Sequence, residues 1–181
     1  MTLNNLLYVA IVSIVLGGSP NMGSRATRTD SNKHAQKIDT KMTTLTAYLL
    51  LDGDCKQAME FYKSVFGGEL TMTEVGNSPM KNYFPGTMQQ KIVNAKLVSS
   101  MVNISASDIS ASDWLRPNQT PVKGNMVCLY LSGGTPEELE SLFSKLSAGA
   151  DITDPLSKQP FGMYGALNDK FGIRWMFQAD K

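Results

Sequence analysis

The fold is decided by the stretch DGDCKQAMEFYKSVFGG at residues 52–68 and by its counterpart 81 positions later, GGTPEELESLFSKLSAG at residues 133–149. In the first stretch, apolar residues recur at helical spacing from Ala58 to Phe66, and two glycines follow. This pattern predicts an amphipathic helix with a glycine C-cap. In the second stretch, Thr135 as N-cap and a proline at the first helical position predict an equivalent helix. Because the helices and their terminal glycines align, the chain contains an internal duplication.

Each helix lies between short segments that have the composition of β-strands and are bounded by turn residues. The first unit is predicted as a strand, a helix and three strands, and the second unit repeats that order. A linker at residues 106–124 separates them. We therefore predict an α+β fold of two tandem βαβββ modules, at about residues 44–106 and 125–178. The predicted strands are 44–51, 70–75, 90–97 and 101–105 in the first module, and 125–131, 152, 164–167 and 174–177 in the second.

The first 41 residues differ in character from the remainder. They hold five basic and two acidic residues and an apolar run at Leu6–Leu16, whereas residues 42–181 hold 12 basic and 14 acidic residues. A secretory signal has an apolar run of this length but also a basic start and a small-residue cleavage site, and neither is clear here. A membrane anchor needs about 18 apolar residues. Three interpretations stay open: a disordered extension upstream of a start at Met42, an export signal, and an anchor.

Under each interpretation, we expect residues 1–41 to lie outside the fold and residues 42–181 to form the domain. We expect the domain to be cytoplasmic and without membrane contact, or exported if Leu6–Leu16 is the hydrophobic region of a signal.

The composition excludes several classes of function. A formal net charge of +1 and the lack of a basic stripe predict no nucleic-acid partner. Two cysteines, neither in a CxxC pair, do not make a disulfide framework. The single histidine, His34, lies in the leader, so residues 42–181 contain none. This excludes a multi-histidine metal site within one chain and a Cys–His nucleophile.

Four segments carry a family resemblance: YLLLDGDC at 48–55, AMEFYKSVFG at 58–67, FGMYG at 161–165 and DKFGIRW at 169–175. Over residues 44–178 the chain resembles the vicinal-oxygen-chelate superfamily of glyoxalase and bleomycin-resistance-like proteins. Within it, the chain is similar to the PhnB-like branch, whose members are often labelled 3-demethylubiquinone-9 3-methyltransferase-like. The resemblance implies two curled sheets around a concave pocket, and commonly a homodimer. The methyltransferase label has no support in the sequence, which contains no Gly-rich nucleotide-binding turn.

The resemblance also implies a metal site, because catalytic members hold a divalent metal on four His or Glu side chains from four strands. Those positions fall near residues 46–48, Asn103, Asn125 and Met176, and none of them is His or Glu. Where the PhnB-like branch often has a histidine on its third strand, this chain has Asn94. We therefore expect no divalent metal, no other cofactor and no catalytic residue.

We predict a metal-free protein that binds a small molecule. One alternative is a metal-dependent lyase, dioxygenase or isomerase with an atypical site, and another is a drug- or antibiotic-sequestering resistance protein. Strand alternation places Asn94 opposite Val93, Ala95 and Leu97, on the face of the concavity together with Ile92 and Lys96. The predicted pocket residues are Tyr48, Asn94, Asn103, Trp114, Asn125 and Tyr164.

Two further residues have predicted local roles. Cys55 lies in the first turn of the first helix, where the helix dipole would lower the pKa of its thiol. Asp169 precedes a turn, and we expect it to cap that turn.

Overall fold

A computed structural model describes residues 45–109, 117 and 121–179 of the chain. The leader and the predicted pocket residue Trp114 lie outside the described residues. Described residues from Thr46 onward belong to one compact unit. No helix in the described ranges is long and apolar enough to cross a membrane.

The first module folds into one four-stranded sheet with one helix, called sheet 1. Its strands run in the order β1-β4-β3-β2, with β1 parallel to β4 and the other neighbours antiparallel. The elements are β1 (Ala47–Leu50), α1 (Cys55–Phe66), β2 (Glu69–Glu74), β3 (Ile92–Val98) and β4 (Asn103–Ser107).

The second module repeats this topology in sheet 2. Its order is β5-β8-β7-β6, again with the first and last strands of the module parallel. The elements are β5 (Leu129–Ser132), α2 (Pro136–Leu146), β6 (Asp151–Gln159), β7 (Gly162–Asn168) and β8 (Arg174–Ala179). The predicted α+β fold with a duplicated βαβββ order is therefore confirmed.

Both helices pack into one shared hydrophobic core. The buried face of α1 meets the second module, where the rings of Tyr62 and Phe66 lie 5.6 and 5.4 Å from the ring of Trp175. The core takes side chains from α1, α2 and one face of each sheet, including Leu97 and Ile104 of sheet 1. The opposite face of each sheet, called its outer face, therefore points away from this core.

Two predictions about strands are wrong in detail. The predicted strand 125–131 begins only at Leu129, because the pairing of β5 with β8 starts at the Leu129–Trp175 pair. Asn125 lies on an exposed bend before it. In β3, a register shift pairs Thr73 with Asn94 but Glu74 with Ile92. This irregularity breaks the alternation, and Ile92 joins the core on the helix side rather than the face of Asn94.

Candidate functional site

The outer face of sheet 1 carries three of the predicted pocket residues. Tyr48 pairs with Ser105, which pairs with Lys96, so these side chains form one row across the sheet. Asn94 lies two residues from Lys96 on the same strand and therefore on the same face. Asn103 pairs with Val98 and also shares this face. Both amides therefore lie on the face opposite the helix side, and their place in a pocket stays a prediction.

The two amides are nevertheless not brought together. Asn103 is level with Val98, four residues along β3 from Asn94, so the two positions are about 13 Å apart along the strands. Asn103 is exposed at the end of β4, whereas Asn94 is half-buried. A single small group on a ligand could contact one of these amides but not both.

Asn94 has an unusual environment for an amide. Its Oδ1 atom is buried and has no hydrogen-bond partner; Gln89 Oε1 is the one other such side-chain atom among the described residues. Its cross-strand neighbour is Thr73. A buried acceptor without a donor costs free energy, so this carbonyl is an unsatisfied polar atom of sheet 1.

The outer face of sheet 2 carries Tyr164, which pairs with Gln178. The hydroxyl of Tyr130 donates a 3.0 Å hydrogen bond to Oε1 of the same Gln178. Tyr164 is half-buried and packs edge-on against Phe161, with ring centroids 6.1 Å apart. Asn125 lies outside the strands of this sheet and does not join this group.

Within one chain, the candidates on the two sheets do not face a common concavity. The helix-side faces of both sheets meet in the shared core, so Asn94 and Tyr164 lie on surfaces that both point away from it. Apolar side chains are exposed on the edge strands of these surfaces. Tyr48 is 38% exposed and Leu50 39% on β1, and Tyr130 is 48% exposed on β5.

The residues at the metal positions implied by the family do not make a cation site. Asn103 offers an exposed amide and Met176 a thioether, and neither is a strong ligand for a hard divalent cation. No three His, Cys, Asp or Glu side chains in the described ranges are grouped so that they could hold a metal ion.

Asp169 has a larger role than the turn cap that the sequence predicts. Its Oδ1 accepts hydrogen bonds from the backbone N–H groups of Phe171 and Ile173, at 2.9 and 3.0 Å, which confirms the predicted turn cap. Its Oδ2 also accepts from the Tyr62 hydroxyl at 2.7 Å and from Trp175 Nε1 at 2.8 Å. Burial, and then the neighbouring Asp169 carboxylate, raise the pKa of Tyr62. The D-x-F-G-x-x-W segment is therefore a structural connection between the modules.

Asp108 has a comparable role at the start of α1. Its carboxylate accepts hydrogen bonds from the backbone N–H groups of Gly53 and Cys55, both at 3.0 Å, and from Ile92 at 2.9 Å. Burial, and then the negative charge of Asp108, raise the pKa of the Cys55 thiol. The prediction of a lowered thiol pKa is therefore wrong, because desolvation and this carboxylate outweigh the helix dipole.

Two tandem βαβββ modules with equivalent mixed sheets define the class of glyoxalase and bleomycin-resistance-like α+β proteins. Within that class, residues 43–178 match the family model described as 3-demethylubiquinone-9 3-methyltransferase, and the chain belongs to this PhnB-like family.

Relatives span nearly the whole domain. The chain is 26% identical over 150 residues to protein YjdN of Escherichia coli (strain K12), covering 76% of this chain and 95% of that protein. The structure of protein PA1353 from Pseudomonas aeruginosa is similar with a TM-score of 0.65 and 28% identity, covering 77% of this chain and 98% of the other. A PhnB protein from Bacillus cereus, described as a putative 3-demethylubiquinone-9 3-methyltransferase, gives a TM-score of 0.57 at 24% identity, covering 76% and 99%.

Proposed function

We propose that this protein binds a small organic molecule on the outer face of sheet 1, without a metal ion, and that the ligand donates a hydrogen bond to Asn94. The observation that carries the proposal is the buried, unpartnered Oδ1 atom of Asn94. A ligand N–H or O–H would satisfy that acceptor, and the gain is large because the atom is already desolvated.

The residues around Asn94 suit recognition of a ligand that carries hydrogen-bonding groups. Thr73 supplies a hydroxyl across the strand pair, and Tyr48 supplies an aromatic ring further along the same face. The face around them is mostly polar, because Thr71, Lys96 and Ser105 share it, and these groups could orient a ligand by hydrogen bonds. We do not propose methyl transfer, because the sequence lacks a Gly-rich nucleotide-binding turn.

The proposal includes a homodimer in which a second copy covers the outer faces. One chain leaves Tyr48, Leu50 and Tyr130 partly exposed on the edge strands β1 and β5. Exposed apolar side chains and unpaired strand edges favour association with another chain. A concave pocket then forms between surfaces of two copies, and Tyr164 lines it from sheet 2.

We propose a cytoplasmic location for the domain. Both of its cysteines, Cys55 and Cys128, are free thiols, which is typical of a reducing compartment. N-terminal sequencing of the native protein tests this proposal, because removal of the leader at a site after Leu16 would indicate export.

Ligand binding is tested with a panel of phenols, anilines and indoles, by ligand-observed NMR on protein treated with EDTA. We expect at least one class to bind, and Asn94→Ala to weaken it about tenfold, since one hydrogen bond contributes roughly 1.4 kcal/mol. Gln57→Ala removes an exposed amide from α1, on the other side of the sheet, and should leave affinity unchanged.

Three results would contradict the proposal. They are a lack of binding across the panel, equal binding by the Asn94→Ala protein, and binding that EDTA abolishes and Zn²⁺, Mn²⁺, Ni²⁺ or Fe²⁺ restores.

Sedimentation velocity tests the proposed dimer, and we expect the Tyr130→Asp variant to sediment as a monomer. A wild-type chain that sediments as a monomer at micromolar concentration would contradict the proposed homodimer.

A further inference from the structure

We propose that a second site, distinct from the outer face, binds a small zwitterion of the amino-acid class. It is a cavity of about 390 Å³ lined by Lys56, Met72, Thr73, Glu74, Asn77 and Ile92. The cavity combines one cationic side chain, one anionic side chain and an apolar wall, and Thr73 is the one lining residue that the proposed function also uses.

The cavity lies beside the edge strand β2, on the side of sheet 1 that carries α1. Lys56 belongs to the first turn of α1, whereas Met72 and Ile92 belong to the core on the helix side. The register shift between Thr73 and Glu74 disturbs the strand pairing at this place. A β-bulge bends a strand and separates it locally from its neighbour, and this provides space between the strand edge and the helix.

The two charged side chains share the cavity without pairing. Within the described residues, Lys56 makes no ion pair, and the one hydrogen bond of the Glu74 carboxylate comes from Asn77 Nδ2 at the long distance of 3.5 Å. Glu74 is half-buried, so its carboxylate has lost part of its hydration. Opposite charges that line one cavity and stay unpaired are suited to a ligand that carries both signs.

The geometry assigns an orientation to the ligand. Its ammonium group would be held by Glu74, with the carbonyl of Asn77 beside it, and its carboxylate by the Lys56 ammonium group. An aliphatic side chain would lie on Met72 and Ile92, of which Ile92 is only 2% exposed. A volume of about 390 Å³ is near the lower end for small-molecule sites, so it fits one amino acid rather than a peptide or nucleotide.

The test uses the full chain, isothermal titration calorimetry and three probes of matched shape. L-leucine carries both charges, 3-methylbutylamine carries only the cation, and 4-methylpentanoate carries only the anion. We expect leucine to bind and each singly charged probe to bind at least tenfold more weakly. Glu74→Gln and Lys56→Gln should each weaken leucine binding at least tenfold.

Two control variants lie on the same elements but away from the cavity. Glu69→Gln is at the other end of β2, and Lys63→Gln is in the last turn of α1. Both remove an exposed charge and should leave leucine affinity unchanged. Circular dichroism and thermal unfolding of every variant separate loss of binding from loss of fold.

Several outcomes would overturn the proposal. These are no binding of leucine in the millimolar range, equal binding of a singly charged probe, and equal losses in the control variants. The phenols, anilines and indoles used for the outer face should not compete with leucine. Competition would show one common site and would also overturn the proposal, whereas failure of leucine alone would leave binding at Asn94 unaffected.

Discussion

Two carboxylates, Asp108 and Asp169, are buried in the described part of the chain, and no cation among the described residues pairs with either. Asp108 accepts three hydrogen bonds from backbone N–H groups, and Asp169 accepts two from backbone and two from side chains. Hydrogen-bond donors thus replace the water that each charge loses on burial. The four bonds to Asp169 occupy about all of the acceptor sites of its carboxylate, and the three to Asp108 occupy most of its sites.

At the scale of single residues, the two thiols should differ in reactivity. Cys55 is fully buried and the pKa of its thiol is raised by burial and then by Asp108, whereas Cys128 is only half-buried. The thiolate is the reactive form, so we expect Cys55 to react at least about 100-fold more slowly than Cys128 in the native protein.

Titration with Ellman's reagent at pH 8 checks this prediction. Wild type should release one equivalent of the chromophore when native and two when unfolded in guanidinium. The native Cys128→Ser variant should release almost no chromophore. Fast reaction of that variant would contradict the prediction that the Cys55 thiol is protected by burial and by the charge of Asp108.

At the scale of elements, the helix starts show which sequence signals are reliable. Thr135 caps α2 as predicted, because its hydroxyl accepts a hydrogen bond from the Glu138 N–H, three residues away. Asp54 stands at the equivalent place before α1, yet its side chain makes no capping hydrogen bond. Asp108 binds that helix start instead, from 53 residues away in sequence, and local patterns carry no information at that distance.

This difference predicts unequal costs of substitution at the start of α1. Asp54→Ala should lower the free energy of unfolding by less than about 0.5 kcal/mol. Asp108→Ala should lower it by about 3 kcal/mol, because it leaves three N–H groups without an acceptor, two of them buried and one partly buried. Thr135→Ala, a true cap, should cost about 1 kcal/mol. Urea unfolding followed by circular dichroism measures all three, and equal effects of the two aspartate variants would refute this account.

In the strands too, some features follow from neighbouring residues in the sequence and others depend on residues far away in the sequence. The order strand, helix, strand, strand, strand followed from periodicity and turn residues, since these depend on neighbours along the chain. The late start of β5 at Leu129 and the shift opposite Val93 depend on partner strands. The positions of the candidate site residues also depend partly on partner strands. Alternation along the chain predicts the face on which Asn94 lies, but its separation from Asn103 is set by the register of β3 and β4.

At the scale of the whole molecule, the hydrogen bond from Tyr62 to Asp169 joins residues 107 positions apart, one from each module. Tyr62→Phe removes only the hydroxyl, so Asp169 Oδ2 keeps Trp175 as a donor and the ring packing stays. We expect a loss of about 1.5–3 kcal/mol in the free energy of unfolding, the range for hydrogen bonds to charged groups.

The matched control is Tyr164→Phe, whose hydroxyl makes no hydrogen bond within the described residues and which should change stability by less than about 0.5 kcal/mol. A double-mutant cycle of Tyr62→Phe with Asp169→Asn should give a coupling of at least about 1 kcal/mol. Additive effects in guanidinium unfolding would mean that the two modules are held together by packing alone.

Only the first module supplies the tyrosine that donates this hydrogen bond to the other module. The displacement of 81 residues that superimposes the two helices puts Phe143 in the place of Tyr62, and phenylalanine has no hydroxyl to donate. Phe143 packs instead edge-on against Phe177, with ring centroids 5.0 Å apart. The two halves of the duplicated gene have therefore ceased to be interchangeable. A protein assembled from two copies of the second half would bury its aspartates with one donor missing, and each missing donor should cost the same free energy as Tyr62→Phe.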